Sequence, residues 1–494
     1  MPVLLLGDQR YLANRRLWPQ LLACLLLVSV FLIAGTRVNA SLTSRGPILI
    51  TSNSGFTTAN GVTGGSGTVA DPYIISDWSI SSSGPSQVCV DIESTTAYFI
   101  IQNLQVTCLY QSSIAMELRG VSNGKVLSSS LYGIGENVEI DSSTSINLSN
   151  NVLPDTVGFG LVLASVTNST VSGNQVGPAA GGDSVSITNS RMDVFSGNTI
   201  FPGGCGAQTC TSSGAALEIG YSSLITVSDN QISNNASPCV VLVDWSTSLQ
   251  ILNNSVSGGD TSCGIGLGHT NSTVISENRV KGPGGQWVFE NVGISIYNSN
   301  NDLVSGNNVT LERQGILLSG DTGISVFHNN LISNSAQASD DSTGDHWDNG
   351  FPSGGNYWSD YTGSDPDNDG IGDTPYVFNY SQDSYPLMKP FVASPDPGPS
   401  VGGAVVPVDK LALLAPFVLL ALPIAAGTVL IALYSRRIKT SKGKMREQPI
   451  ASVFDSRKSC ASTRLCEIFC EVAFFGRVTM IMGVSLCAGR SRFD

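Results

Sequence analysis

The residues with the clearest capacity for chemistry are four aspartates in one short stretch, DPDNDGIGDTPY (residues 365–376). Asp365, Asp367, Asp369 and Asp373 stand at positions 1, 3, 5 and 9 of an EF-like loop, with Gly370 at the turn and Ile371 offering its carbonyl oxygen. Alternating carboxylates in a tight loop aim several hard oxygens at one point, which suits Ca²⁺. Position 12, a bidentate Glu in a full EF-hand, is Tyr376 here. Asp360 or Asp383 must therefore help, or affinity stays weak, with Kd about 10⁻⁴ to 10⁻³ M. The expected work of the ion is structural, clamping the segment that caps the end of the fold.

Evidence for catalysis is thinner. Hydrolysis of a sugar polymer needs two or three close carboxylates for acid and base roles, and elimination adds a basic residue near the reacting carbon. Asp183, Asp193, Asp229, Asp244 and Asp260 are scattered, with no doublet and no D-x-D pattern. Arg191, Arg279, Lys281 and Arg313 show no pairing. Catalytic residues therefore stay unassigned, although acids on separate turns can converge without a trace in local spacing.

The elements that position these groups follow from composition. Charged residues make up 13% of the 494-residue chain, while Gly contributes 53 residues and apolar types 41%. Long amphipathic helices need charged outer faces, and disordered chains lack this much apolar content. What remains is a β-rich chain with polar, uncharged surfaces. Residues 41–409 hold 8 Lys and Arg against 32 Asp and Glu, so the body repels phosphate backbones and nucleic acid is not an expected partner.

Internal periodicity decides the fold class. A unit of aliphatic, two intervening positions, Asn, one position and a second aliphatic recurs as Leu148/Asn151/Leu153, Val171/Asn174/Val176 and Phe195/Asn198/Ile200. It continues as Val227/Asn230/Ile232, Ile251/Asn254/Val256, Ile275/Asn278/Val280, Val304/Asn307/Val309 and Val326/Asn329/Leu331. Leu104 and Ser129 fill the Asn slot in two degenerate earlier copies. The commonest spacing, 24 residues, is one turn of a parallel β-helix, and longer gaps imply loops after Asn198 and Asn278. The expected architecture is all-β, a right-handed parallel β-helix of about ten turns whose stacked rungs share a dry core. The asparagines are expected at tight corners in the left-handed region, their amides forming a ladder. Cys239 and Cys263 fall in the same slot of adjacent turns, which predicts a disulfide. Cys89 with Cys108 and Cys205 with Cys210 are further pairings.

The ends indicate a membrane. Arg10, Arg15 and Arg16 precede an apolar run at residues 21–35, and small residues follow before Ser41, as in a secretory signal. Residues 411–434 carry no charge and are long enough to span a bilayer; six basic residues within 436–446 follow, which places that side in the cytoplasm. The expected order is a signal peptide at 1–40, an N-terminal cap with the first turns at 41–98, and repeats at 99–335. A C-terminal cap with the Asp-rich loop at 336–393, a Pro/Gly linker at 394–409, one transmembrane helix at 410–434 and a cytoplasmic tail at 435–494 complete it.

Two segments are more distinctive than the repeat: GVTGGSGTVADPYII (61–75) with Trp78 behind it, and WDNGFPSGGNYWSDY (347–361) running through the Asp-rich loop to DSYPLMK (383–389). With the repeats, they resemble the NosD-like right-handed parallel β-helix proteins, especially archaeal cell-surface members, over roughly residues 46–390. The resemblance implies the fold. It also raises copper, because the family includes periplasmic proteins that help mature a copper centre. His269, His328 and His346 are scattered and Met388 lies in the terminal segment, whereas copper wants clustered imidazole or sulfur ligands, so copper is not expected. The expected function is that of a membrane-anchored cell-surface protein, structural or adhesive or carbohydrate-binding, with a polysaccharide or another surface protein as partner. The alternatives are a polysaccharide lyase or glycoside hydrolase on the β-helix face, then a copper-centre accessory. Acids clustered on one stacked face would favour the enzyme, and an aromatic stripe a binding module.

Overall fold

The computed structural model describes residues 42–84, 88–201, 214–283, 291–379 and 381–392, with the backbone alone for 234–238 and 259–262. Each turn of about 24 residues contributes three strands, shown by Thr170–Ser172, Gln175–Val176 and Val185–Thr188. The first strands stack into one sheet in which eleven successive turns pair in parallel; the second and third strands build a larger sheet. This is a parallel β-solenoid of right-handed type, with no α-helix among the described residues.

Register explains why the repeat folds this way. The leading aliphatics of the repeat form one continuous column, Leu148 against Val171, then Phe195, Val227, Ile251, Ile275, Val304 and Val326. All are buried, as are the second aliphatics from Leu153 to Leu331. A single rung cannot bury its own apolar face, so stability comes from stacking neighbours. Register also survives the two long gaps, with Val185 opposite Leu217 and Ile265 opposite Ile294.

The asparagines do form a ladder, but their backbone differs from the expectation. The left-handed residue is the one before each of them: Asn150, Gly173, Gly197, Asp229, Asn253, Glu277, Gly306 and His328. The key asparagines themselves are buried. Their task is hydrogen bonding through the core wall. Asn254 Oδ1 accepts the N–H of Asn230 and its side-chain amide, both at 2.9 Å, while Asn254 Nδ2 donates to Val227 O at 2.9 Å and Asn278 Oδ1 at 3.0 Å. The same pattern runs from Asn151 through Asn329 and one rung further, to Asn356. Ser129 continues the ladder towards the N-terminus, donating its N–H to Asn151 Oδ1 and accepting that of Leu104.

Both pairings predicted within the described residues exist. Cys239 is in register with Cys263 and bonded to it at a Cα separation of 4.4 Å, and Cys89 is bonded to Cys108 at 6.1 Å. Gly266 lies against the first bridge: a Cβ there would meet both sulfurs within 3 Å. The Cys205–Cys210 pairing, the signal segment, the linker, the apolar run 411–434 and the tail lie outside the described residues. Among the described residues, no helix is long and apolar enough to cross a membrane.

The two distinctive segments close the ends of the stack. Phe56 stacks on Tyr73 and leans on Phe99, and the Trp78 indole donates to Gly61 O at 2.8 Å. At the other end, Trp347 and Trp358 are fully buried, their indoles donating to Asp340 and Asp383, with Phe378 and Tyr376 packed against them.

Candidate functional site

The third strands of successive turns share one face of the solenoid, and its outward positions are charged on three consecutive turns. Register puts Asp91, Glu117 and Glu139 side by side, and beside them Glu93, Arg119 and Asp141. Neighbouring rungs stand about 4.8 Å apart, so six charged side chains share a patch three rungs deep. Arg119 is its centre. Its Nη1 donates to Glu93 Oε1 at 3.1 Å, Nη2 pairs with Glu117, and Nε lies 3.9 Å from Asp141 Oδ2.

Burial is uneven across the patch. Glu117 is buried beneath the half-exposed guanidinium, which compensates its charge. Asp91 Oδ1 is buried with no hydrogen-bond partner among the described residues. Burial, then the neighbouring Glu93, push the Asp91 carboxyl up, against the opposing pull of Arg119. Glu136, at the start of the same strand as Glu139, is raised by burial and by Glu139. One column therefore holds a carboxyl disposed to keep its proton beside carboxylates neutralised by arginine, a combination with acid and base capacity.

Further along the same column come Val162, Ser186 and then Glu218. Glu218 is hydrogen-bonded to Asp183, whose carboxyl is driven up first by burial and then by Glu218, while Asp183 Oδ1 accepts the Ala215 N–H at 2.7 Å. Sequence spacing hides this pair, because its two members are 35 residues apart. For the Arg119 patch a signal existed: Asp-Ile-Glu (91–93), Glu-Leu-Arg (117–119) and Glu-Ile-Asp (139–141) recur at turn spacing with the same alternation.

The remaining acids and bases have other places. Asp193 is buried and accepts the Ser169 N–H; Asp229 is a corner residue bonded by Asn253; Asp244 contacts His269. The side chain of Asp260 is outside the described set. Arg191, Arg279, Lys281 and Arg313 are exposed.

The Asp-rich loop is assembled in part as expected. One ligand oxygen from each of Asp365, Asp367 and Asp369 lies within 4.8 Å of the others. Asp365 also holds the turn, accepting the N–H groups of Asp369 and Gly370 at 3.2 and 3.0 Å, and Asp369 accepts that of Ile371 at 2.8 Å. Gly370 has φ +94°, open to glycine. Asp367 is pushed up chiefly by its hydrogen bond to Asp365, with Asp369 and Asp373 adding to the effect. Three hard carboxylates crowded in this way fit a calcium ion. Neither proposed helper is free: Asp360 is bonded by Tyr376 and Gln337, and Asp383 is buried in the cap.

A family model described as Periplasmic copper-binding protein (NosD) matches residues 206–363. No curated protein matches the chain. Similar solved structures include the A-module of Azotobacter vinelandii mannuronan C-5 epimerase AlgE4, at 13% identity over 54% of this chain and 88% of that one, TM-score 0.38. Dettilon tailspike protein gp208 shows 13% identity over 53% and 59%, TM-score 0.41. DFA-IIIase from Arthrobacter chlorophenolicus A6 shows 13% over 52% and 66%, TM-score 0.34.

Among the described residues, the donors within the matched span do not fit copper. His269 stacks on Trp245 and contacts Asp244; His328 stacks on Phe391 and lies 2.8 Å from Ser353 O; His346 stands in the terminal segment, bridged to Ser325. Cys239 and Cys263 are bonded to one another. Copper wants several imidazole or sulfur donors at one point, and these residues stand on separate rungs, so no step is derived through that metal. The stacked turns make this a parallel β-helix protein, and residues 206–363 are similar to the NosD family model.

Proposed function

We propose that this chain is a cell-surface β-helix protein that holds polysaccharide along its long-strand face, anchored by its C-terminal apolar segment and with a Ca²⁺ clamp in its terminal cap. The observation that carries the reading is the Arg119 network. It sets carboxylates and a guanidinium in straight columns at rung spacing, an array of planar acceptors and donors matched to the hydroxyls of an extended sugar polymer. The rest of the body is acidic, which disfavours polyanions.

Cleavage is the second reading, favoured by Asp91, a carboxyl with raised proton affinity and an unpartnered oxygen beside Glu93 and Glu117. One experiment separates the two. The full-length protein is incubated with a polysaccharide panel, with and without Ca²⁺, and retention and new reducing or unsaturated chain ends are followed together. Retention without new ends, lost in Arg119→Met, supports binding. New ends that vanish in Asp91→Asn while retention persists support the enzyme. Neither signal with any polymer overturns both.

A further inference from the structure

The corner that follows the long strands is lined, turn after turn, by residues with positive φ: Ser94, Gly120, Ser142, Ser165 and Asn189, then Tyr221, Trp245 and His269, then Asn298 and Gly320. Small residues and Asn suit that conformation; large rings do not, because the left-handed region crowds Cβ against the carbonyl. Three successive bulky rings are therefore placed where the fold itself prefers Ser, Asn or Gly. Two of them are exposed, Tyr221 at 66% and Trp245 at 53%, while His269 is half-buried; Tyr297, next to this corner, is 52% accessible. Strain and exposed apolar surface both act against stability, and such residues persist where they serve a site.

Their geometry is ordered. The imidazole of His269 lies parallel to Trp245 at 4.0 Å between ring centroids and 3° between planes, and Tyr297 meets it edge-on at 6.1 Å. Asp244 holds the pair, its Oδ1 lying 3.1 Å from both His269 Nδ1 and the Trp245 N–H. Among the described residues no second ring stacks on Trp245. Gly220, next to Tyr221 and in register with Asp244, leaves the strand bare there.

We infer that Tyr221, Trp245 and His269, with the Asp244 carboxylate, form a stacking subsite for the pyranose rings of an uncharged polysaccharide. A flat aromatic face takes the apolar face of a sugar ring, and a carboxylate at its edge accepts the ring's hydroxyls. A lipid or a purely apolar protein surface would leave Asp244 and His269 desolvated and unmatched. A polyanion would meet the acidic body. The inference rests on the polysaccharide reading and extends it from the Arg119 network to a second station on the same face, four to six rungs further on.

The test uses Tyr221→Ser, Trp245→Ser and His269→Ser, singly and together, in the full-length chain. Serine is the fold's own residue at this corner, so thermal stability is expected to be unchanged or raised. Retention on cellulose and chitin, and tryptophan fluorescence titrated with soluble cello- and chito-oligosaccharides, report binding. The expected result is an emission shift in the wild type, absent in Trp245→Ser, and at least tenfold weaker binding in the triple variant with its melting temperature kept. Wild-type binding that the triple variant retains overturns the ladder while leaving the polysaccharide reading intact, and Arg119→Met then locates the binding. A wild type that binds no polymer overturns both. A dimer dispersed by Trp245→Ser would assign the ladder to self-association and overturn the inference.

Discussion

The Asp383 carboxylate terminates the asparagine ladder: its Oδ2 accepts the backbone N–H of Asn356 at 2.7 Å, where the rungs from Asn151 to Asn356 offer an amide oxygen. The same oxygen accepts the Trp358 indole at 2.8 Å, and Oδ1 accepts the Tyr385 N–H at 3.0 Å. Asp383 is fully buried. Removing it strands two buried donors and a half-buried third, so Asp383→Ala is expected to cost on the order of 3–5 kcal/mol, and Asp383→Asn about 1–2 kcal/mol because acceptor oxygen remains. Urea unfolding with the disulfides intact measures this. An alanine variant within 1 kcal/mol of wild type would show that the terminal cap does not depend on the ladder.

Inside the ladder each amide serves two neighbours. Asn254→Ala removes an acceptor from Asn230 and a donor from Val227 O. We expect a loss of about 2–4 kcal/mol. The adjacent residue is the control: Asn253, exposed and left-handed, should tolerate Gly within about 1 kcal/mol. Equal effects at the two positions would refute the division of labour between them.

That division shows what spacing could and could not reveal. The period of the repeat, the aliphatic columns and the Cys239–Cys263 bridge are local or strictly periodic properties, and the chain states them openly. Which member of the Asn-containing corner takes the left-handed conformation is not periodic in residue type: Asn150, Gly173, Asp229, Glu277 and His328 all do so. The site is harder still. Asp91, Glu117 and Glu139 become neighbours through stacking alone, and Glu218 meets Asp183 across a 35-residue separation. The proximity of Asp365, Asp367 and Asp369 follows from their contiguous spacing, whereas Asp373 and Ile371 are not part of that cluster and the prior engagement of Asp360 and Asp383 left no local signal.

Buried aspartates set the pH response. Burial raises Asp193, Asp302, Asp321 and Asp383 to about 6 despite the N–H groups they accept. A carboxyl whose folded pKa exceeds its unfolded value binds protons more tightly when folded. Its stabilising contribution is complete below the unfolded pKa of about 4 and is lost as pH rises through about 6. Stability should therefore increase from pH 7.5 to pH 5. Asp302→Asn, which keeps an acceptor for the Thr273 N–H, should flatten the slope. Urea midpoints across that range test it; a midpoint that falls on acidification contradicts the assignment.

The Cys239–Cys263 bridge closes a 24-residue loop between adjacent turns, worth about 3 kcal/mol by loop entropy. Cys239→Ser with Cys263→Ser should lose that much. Gly266→Ala should also destabilise the oxidised protein, because its Cβ would press on both sulfurs. In the double-serine background the alanine penalty should shrink. An unchanged penalty would place the strain elsewhere.

Calcium binding at Asp365, Asp367 and Asp369 should be weak, since neither Asp360 nor Asp383 completes the shell. A Kd of about 10⁻⁴ to 10⁻³ M is expected by calorimetry. Asp365 keeps Asp367 inclined to hold a proton. A bound ion competes with protonation of that carboxyl, so affinity should fall as pH is lowered. The loop is pinned to the cap through Met388 N–H to Gly370 O at 3.0 Å and the bridge between Ile371 and Leu387. Calcium should therefore raise the melting temperature of the terminal cap, and Asp367→Asn should abolish that rise. Micromolar affinity, or a calcium response that persists in Asp367→Asn, would mean that other oxygens hold the ion.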